Sequence, residues 1–182
     1  MIDSNIAIAL QKIENERQIN STYLDLSNLN LQIIPHEINQ LTSLTKLNLS
    51  KNKLKSLDGI KGLSSLTKLI CRDNELTSLG DIVFLKSLTN LSCSHNHLKS
   101  LDSIKQLTSL QKLNCSVNPL TSLEGIENLT SLTKLNCSNN QLTSIERIKN
   151  LTLLNELHCH RNQLTSLKGI ENLTSLTKLN CS

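Results

Sequence analysis

The feature of this sequence that most constrains its fold is a block of 22 residues that returns, with few changes, along most of the chain. The block is clearest over residues 132–153, which read LTKLNCSNNQLTSIERIKNLTL. Copies open at seven leucines spaced by 22 residues: Leu44, Leu66, Leu88, Leu110, Leu132, Leu154 and Leu176. A fixed period of this size is typical of proteins built from stacked units, because a single unit cannot bury its apolar face alone. The sequence therefore predicts a solenoid.

Each unit contains two different apolar periods. The first, fourth and sixth residues are apolar and their neighbours are mostly polar, which predicts a short strand with one buried face. Later in the unit, apolar residues recur every third position, as at Ile145, Ile148 and Leu151. That spacing favours a return leg of extended or 3₁₀-like turns. Because a full coil of chain separates successive strands, we expect them to be parallel.

The pattern L-x-x-L-x-L-x-x-N-x-L over residues 21–182 resembles the leucine-rich repeat, and the 22-residue period resembles the compact bacterial versions found in internalins. The resemblance implies an α/β fold: a right-handed solenoid with a parallel concave sheet, short 3₁₀ or extended convex legs and an N-terminal helical cap. We expect a cap helix within residues 1–20, an atypical capping repeat over 21–43, and six full repeats with a partial seventh over 44–182.

The N-terminal cap is predicted to be a helix over residues 3–18, with Asp3 or Ser4 as its N-cap. Its apolar stripe consists of Ile2, Ile6, Ala9, Leu10 and Ile13. We expect this helix to cover the open end of the first coil. The cap segment resembles the opening of bacterial Roco proteins, which place a GTPase after such repeats. No G-x-x-x-x-G-K-(S/T) motif occurs in this sequence, so it contains no P-loop.

Two columns of identical residues run through the predicted core. The ninth residue of six units is asparagine: Asn52, Asn74, Asn96, Asn118, Asn140 and Asn162. The family resemblance implies that their amides bond backbone groups at the bend, so we interpret them as structural. The sixth residue of six units is cysteine: Cys71, Cys93, Cys115, Cys137, Cys159 and Cys181. Their spacing is not that of a zinc or redox motif, and we expect small buried hydrophobes.

The cellular compartment is predicted from what the sequence contains and lacks. Six free thiols indicate a reducing environment. No apolar run approaches the ~20 residues that span a membrane, and residues 1–10 lack the basic and apolar regions of a signal peptide. We therefore expect a cytoplasmic protein that does not bind membranes. Delivery into a host cell as a bacterial effector, by a secretion system that needs no cleaved signal, is compatible with this.

The candidate binding surface is the concave sheet, onto which the third, fifth and seventh residues of each unit are expected to face. The third residues are Lys46, Lys68, Asn90, Lys112, Lys134, Glu156 and Lys178. With strands ~4.8 Å apart, they predict a ladder of lysines with two interruptions. Such a ladder favours docking to an acidic protein surface. The alternative is duplication of one lysine-bearing unit without selection for a partner.

Departures from the internal consensus point to two further patches. The first comprises Asn90, His95 and His97 with Ile70, Arg72, Asp73 and Glu75 of the preceding unit. The second comprises Glu156, His158, His160 and Arg161. Either patch can set the specificity of a concave binding surface, and drift at tolerant positions is the alternative. A strand with Glu156, His158 and His160 on one face could chelate zinc, but the flanking units offer no convincing further ligand. We expect no metal and no cofactor.

These residues predict a non-catalytic module that binds a protein partner. No nucleophile–base pair or phosphate loop supports an enzyme, and the lysine ladder lacks the aromatic and arginine side chains expected for nucleic acid. One alternative is a recognition segment of a larger enzyme, either a Roco-like GTPase or a ubiquitin-ligase-type effector. Another is a structural or self-associating solenoid. Because the sequence stops within a repeat, a homodimer that pairs the strand at Leu176–Cys181 is a further hypothesis.

Overall fold

The computed structural model describes residues 4–182 and contains one sheet of eight parallel strands that follow one another in chain order. The strands are β1 (Tyr23–Asp25), β2 (Lys46–Asn48), β3 (Lys68–Ile70), β4 (Asn90–Ser92), β5 (Lys112–Asn114), β6 (Lys134–Asn136), β7 (Glu156–His158) and β8 (Lys178–Asn180). Equivalent residues of successive repeats lie opposite each other, as Leu47 does with Leu69. The predicted parallel sheet is therefore confirmed.

The return legs are short. Five of them contain 3₁₀ helices, at His36–Gln40, Gly80–Phe84, Asp102–Ile104, Glu146–Ile148 and Ile170–Asn172. In two other units a turn replaces the 3₁₀ helix, and Gly59 and Gly125 adopt φ of 101° and 100° there. These φ values lie in the region that glycine occupies without steric cost. The prediction of 3₁₀ or extended convex legs is confirmed.

The core is a set of continuous columns of leucine and isoleucine that run through the stacked units. Its composition is aliphatic, since aromatic residues make up 1% of the chain. The contribution of stacking is clear from the fourth residue of the repeat: Leu135 is 1% exposed between two neighbours, whereas Leu179 in β8 is 42% exposed. Full burial of one such side chain contributes roughly 1.5–3 kcal/mol.

An α-helix, α1 (Ser4–Gln18), lies against β1 and covers the first coil. Ala9 and Ile13 of its inner face are buried in the core. Lys12 fixes its position, because Nζ donates a hydrogen bond of 3.0 Å to the carbonyl oxygen of Asp25 in β1. The predicted cap helix is confirmed, whereas the predicted roles of Ile2 and Asp3 lie outside the described residues.

The asparagine column links each repeat to the one before it. Asn96 is typical: its Nδ2 donates to the carbonyl oxygens of Cys71 and Cys93, both sixth residues, while its Oδ1 accepts from the backbone N–H of Leu76. The same pattern recurs at Asn74, Asn118, Asn140 and Asn162. The structural role predicted for these amides is confirmed.

The cysteine column lies in the core, as predicted. Five thiols are buried and Cys181 is exposed, and all six are free. Each thiol from Cys71 to Cys137 contacts a carbonyl oxygen of the next strand, as Cys71 Sγ does with Ser92 at 3.4 Å. Burial raises the pKa of Cys71 and of Cys115 to about 12. These thiols therefore stay protonated and act as small apolar side chains.

The eighth residue of the repeat turns the chain away from the sheet through a left-handed backbone conformation. Seven residues at this position have φ between 52° and 58°: Asn28, Lys51, Asp73, His95, Val117, Asn139 and Arg161. Asparagine and aspartate tolerate this conformation, whereas a β-branched residue such as Val117 is strained in it. The strands therefore end at the same point in every repeat.

Candidate functional site

Two rows of side chains cover the concave sheet. The register places the third residues in one row: Lys46, Lys68, Asn90, Lys112, Lys134, Glu156 and Lys178. The fifth residues form the second row: Asn48, Ile70, Ser92, Asn114, Asn136, His158 and Asn180. All seven lysine-row residues predicted from the sequence are thus neighbours in space, together with Ile70 and His158.

The seventh residue contributes less concave surface than the sequence pattern predicts. Ser50, Ser94, Ser116 and Ser138 occupy this position and are between 3% and 7% exposed. In three of these repeats the serine hydroxyl donates to the asparagine two residues earlier, as Ser50 Oγ does to Asn48 Oδ1 at 2.6 Å. These serines therefore lie beside the fifth-residue asparagines of the concave sheet, but they expose little surface to a partner.

A shallow groove of about 360 Å³ runs across β3 to β7. Its lining comes from the third, fourth and fifth residues of β3 to β6 and from the third and fifth residues of β7, so it contains Lys68, Ile70, Asn90, Lys112, Lys134, Glu156 and His158. The leucines of the fourth position form the floor, and Leu91 and Leu113 are each 2% exposed. The groove therefore combines an apolar floor with a cationic row.

Glu156 is the centre of the polar contacts at one end of the groove. Its Oε2 accepts a hydrogen bond of 2.6 Å from Lys134 Nζ, and its Oε1 lies 3.0 Å from His158 Nε2. The hydrogen bond from Lys134, followed by the contact with His158, lowers the pKa of Glu156 to about 2. One of the predicted specificity patches thus neutralises part of the lysine row.

The remaining lysines differ in their surroundings. Lys46 Nζ lies 4.6 Å from the centre of the Tyr23 ring, a cation–π contact across β1 and β2. Among residues 4–182, no acidic side chain lies within ion-pair distance of Lys68 or Lys112. The unneutralised positive charge of the groove is therefore concentrated on β3 and β5, on either side of Asn90.

The first specificity patch is only partly in the groove. Ile70 and Asn90 line it, whereas Arg72, His95 and His97 lie in the bend that follows the strands. In that bend Arg72 pairs with Asp73 at 3.3 Å, and His95 Nδ1 lies 4.0 Å from the same carboxylate. The patch therefore divides into a groove part and a rim part.

The second patch divides in the same way. Glu156 and His158 line the groove, while His160 and Arg161 follow β7 in the bend. The Nδ1 atom of His160 is buried without a hydrogen-bond partner. In the part of the chain that the structure describes, no three histidine, cysteine, aspartate or glutamate side chains are grouped so as to hold a metal ion. Glu156, His158 and His160 are therefore not among such a group.

A second cavity, of about 440 Å³, lies on the convex side around the return leg at Glu146–Ile148. Three of its four charged groups form ion pairs: Arg147 lies 3.0 Å from Glu127, and Glu146 lies 3.0 Å from Lys168. Hydroxyl groups such as that of Thr143 complete the lining. The charges of this cavity are largely neutralised, unlike those of the concave groove.

Some features of the site were not predicted from the sequence. The pairing of Lys134 with Glu156 depends on two flexible side chains, although their equal position in adjacent units was a usable signal. The contact of Lys46 with Tyr23 was missed because Tyr23 belongs to the atypical capping repeat. Ser92 was not singled out, although most other repeats carry asparagine there. None of the helices within residues 4–182 has both the length and the apolar character needed to cross a membrane.

Comparisons with known proteins agree with this architecture. The model for Leucine Rich repeats (2 copies) matches residues 86–129 and 108–152. Internalin C2 from Listeria monocytogenes has a similar structure, with a TM-score of 0.66 and 24% identity over 88% of this chain and 80% of the internalin chain. A leucine-rich-repeat protein of Leptospira interrogans is 28% identical, with a TM-score of 0.70 over 91% of this chain and 56% of that one.

A third similar structure is the leucine-rich-repeat ectodomain of the Arabidopsis thaliana receptor kinase GASSHO1/SCHENGEN3, in complex with CASPARIAN STRIP INTEGRITY FACTOR 2. It is 30% identical, with a TM-score of 0.70 over 85% of this chain and 20% of that one. The chain thus spans most of the internalin, about half of the Leptospira protein and a fifth of the plant ectodomain. None of the curated proteins matches it.

Proposed function

We propose that this leucine-rich-repeat protein is a non-catalytic module that binds a protein partner on its concave sheet. The observation that carries the proposal is the groove across β3 to β7, which is open, five strands wide and lined by side chains with unneutralised charge. A surface of this kind offers many contact points to a macromolecule and no deep pocket in which to enclose a small substrate. The partner is therefore another protein rather than a metabolite.

The charge of the groove favours a partner with an acidic surface. Lys68 and Lys112 line the groove without acidic neighbours among residues 4–182, and the chain as a whole has a net charge of +4. Opposite charges across an interface accelerate encounter and select against partners of like charge. Ile70, which is half-buried in the groove, supplies apolar area that loses water when the partner binds.

The structural neighbours support the same kind of function. The plant receptor ectodomain was solved in complex with CASPARIAN STRIP INTEGRITY FACTOR 2, which supports a binding role for a solenoid of this kind. Leucine-rich-repeat solenoids generally act as protein-interaction modules, and this chain presents the same extended sheet. Membership of a larger Roco-like or ubiquitin-ligase-type enzyme stays a prediction, as does a homodimer through Leu176–Cys181.

A reducing compartment, such as the cytoplasm, is the location that we propose. Five buried thiols are free and contact backbone carbonyl groups rather than one another. Reduced cysteines persist where the cell keeps thiols reduced, so this column fits a cytoplasmic protein. Delivery as an effector would also be compatible with such a column once the protein reached a host cytosol.

Site-specific photocrosslinking in cells tests the proposed face. Benzoylphenylalanine is placed at Asn136, which lines the concave groove, and at Asn128, which is exposed on the return leg. We expect a discrete protein adduct from the Asn136 variant and none from the Asn128 variant. An adduct from Asn128 alone would assign binding to the convex side and refute the proposal. Circular dichroism and urea unfolding of both variants serve as the folding control.

A further inference from the structure

We propose that β4 forms a notch in the concave sheet that binds a carboxylate side chain, glutamate or aspartate, of the protein partner. The inference rests on the concave-face binding proposed above and specifies its chemistry. The notch consists of Asn90, Leu91 and Ser92 as its floor, with Lys68 and Ile70 of β3 on one side and Lys112 of β5 on the other.

The notch arises from side-chain size. At the third position β4 carries Asn90, whereas β3 and β5 carry lysines opposite it. At the fifth position it carries Ser92, between Ile70 and Asn114. Both outward side chains of β4 are therefore shorter than their neighbours, and the sheet surface is lowest at this strand. All of these residues line the same groove.

The same sheet contains an internal precedent for the ligand. On β7, Glu156 lies in the third-residue row between Lys134 and Lys178, and its carboxylate accepts a 2.6 Å hydrogen bond from Lys134. On β4, Asn90 lies between Lys68 and Lys112 in the same register. Among residues 4–182, the chain thus supplies its own carboxylate to one lysine pair and none to the other.

The distances suit a single carboxylate. Lys68 and Lys112 are two strands apart, so their backbones are separated by ~9.6 Å. Lysine side chains are long and flexible enough for both ammonium groups to converge on an anion between them. Because neither has an acidic neighbour among the described residues, a bound carboxylate would relieve their mutual repulsion.

The floor adds hydrogen bonds and apolar contact. Asn90 Oδ1 and the Thr67 carbonyl oxygen both lie within hydrogen-bond distance of the single Thr89 hydroxyl, at 2.9 and 3.1 Å. The NH₂ group of Asn90 donates no hydrogen bond to residues 4–182. The hydroxyl of Ser92 has no hydrogen-bond partner in the described part of the chain. Ile70 provides an apolar wall for the methylene groups of a glutamate side chain. The notch contains no arginine fork, which a phosphate group would favour.

Nuclear magnetic resonance titration of the ¹⁵N-labelled chain tests the notch with two peptides. They are acetyl-Ala-Leu-Glu-Leu-Ala-amide and the matched peptide with glutamine at the centre. We expect the glutamate peptide to shift the Asn90 side-chain amide and the Ser92 backbone amide, and the glutamine peptide to bind several-fold more weakly. Lys68→Met and Lys112→Met should each weaken binding by roughly threefold, and the double variant by about tenfold.

Two further variants sharpen the test. Asn90→Glu should abolish peptide binding with the fold intact, because it gives β4 the internal carboxylate that β7 already has. Lys86→Met is the matched control, since Lys86 lies on the return-leg side and donates to Gln106. This substitution should leave the affinity unchanged.

Three outcomes would overturn the notch. Equal affinities for the glutamate and glutamine peptides would show that β4 does not recognise the charge of a carboxylate. If inorganic phosphate shifted the same amides at a tenfold lower concentration than the glutamate peptide, the notch would be a phosphate site and not a carboxylate site. Absence of shifts with up to about 10 mM glutamate peptide would show that no such site exists. None of these results affects the crosslinking test of the concave face, so the two proposals fail separately.

Discussion

Lys134 and Glu156 lie opposite each other on β6 and β7, and the lysine ammonium donates a hydrogen bond of 2.6 Å to the carboxylate. The pair lies in the row that otherwise consists mainly of lysines. It divides the concave groove into a neutralised end, around β6 and β7, and a cationic part, around β3 to β5. A partner with one acidic segment would therefore bind the sheet in a single orientation.

The Lys134–Glu156 pair makes the free energy of unfolding depend on pH in the acidic range. The hydrogen bond from Lys134, and then the contact with His158, lowers the pKa of Glu156 to about 2 in the folded state, while an unfolded chain has a value near 4.3. Its contribution is therefore complete above about pH 4.3 and is lost as the pH falls towards 2. We expect Glu156→Gln to reduce the slope of stability against pH in that window, measured by urea unfolding.

Carboxyl ¹³C titration supplies the direct readout. Lys134→Met should raise the pKa of Glu156 towards its ordinary value, because the principal hydrogen bond is lost. Lys112→Met is the matched control, since this lysine has the same position on β5 and does not contact Glu156. An unchanged pKa in Lys134→Met would show that the pair does not hold in solution.

Among the residues at the eighth position of the repeat, Val117 is the least suited to a left-handed backbone conformation. Its φ of 54° is uncommon for a β-branched side chain, whereas Asn139 occupies the equivalent position at 53°. Val117→Asn should stabilise the protein by about 1 kcal/mol, and Asn139→Val should destabilise it by a similar amount. Urea unfolding of both variants checks the prediction. Equal stability of all three proteins would mean that the turn carries no strain.

The asparagine column is expected to be more sensitive where it is buried. Asn96→Ala removes the acceptor for Leu76 N–H and the donors to Cys71 and Cys93, all in the interior. We expect a loss of roughly 3 kcal/mol. Asn162 makes equivalent bonds but is half-buried, so Asn162→Ala should cost about 1 kcal/mol. Comparable losses at both positions, measured by urea unfolding, would contradict the argument from burial.

Alanine substitutions at two glycines distinguish the cost of backbone strain from the cost of a steric clash. Gly59 and Gly125 have nearly equal φ, but a Cβ at Gly125 would lie 2.7 Å from the carbonyl oxygen of Leu101, and one at Gly59 would lie 3.7 Å from Ile34. Gly59→Ala should therefore cost about 1–2 kcal/mol from φ alone. Gly125→Ala should cost clearly more, as thermal unfolding of the two variants would reveal. Equal melting temperatures would contradict the predicted clash.

The cysteines provide a probe of native order. Cys181 is exposed, whereas burial raises the pKa of Cys71 and of Cys115 to about 12 and that of Cys159 to about 11. At pH 8 we expect Ellman's reagent to modify one thiol rapidly and the other five only as the solenoid opens. Cys181→Ser should remove the fast phase. Rapid reaction of all six thiols in the native protein would refute the buried column.

The fold could be predicted from the sequence because each repeat has the same pattern of apolar residues that must be buried. The leucines at the first, fourth and eleventh positions can be buried only against the neighbouring repeats. The asparagine column is explained by the backbone groups at the bend, which need hydrogen-bond partners. The concave surface was harder. The alternation predicts which side chains point outward, but it does not predict that the seventh-residue serines expose little surface, because they bond to the asparagines two residues earlier.

The individual contacts of the groove depend on side-chain conformations that a repeat pattern does not specify. Lys134 and Lys112 are the same residue at equivalent positions, yet Lys134 forms an ion pair with the chain and Lys112 does not. The difference lies in the neighbouring strand, where glutamate replaces lysine at position 156. Contacts of this kind are visible in the sequence only after the register of the sheet is known.

The asparagine amides that join neighbouring repeats also determine how the molecule responds to a pulling force. Each amide ties the bend of its own unit to that of the preceding one, so the solenoid is a linear series of similar fasteners. Pulled from both ends, it should release one unit at a time. Each release of 22 residues should lengthen the chain by roughly 75 Å. The repeats would then act as a graded extensible spring.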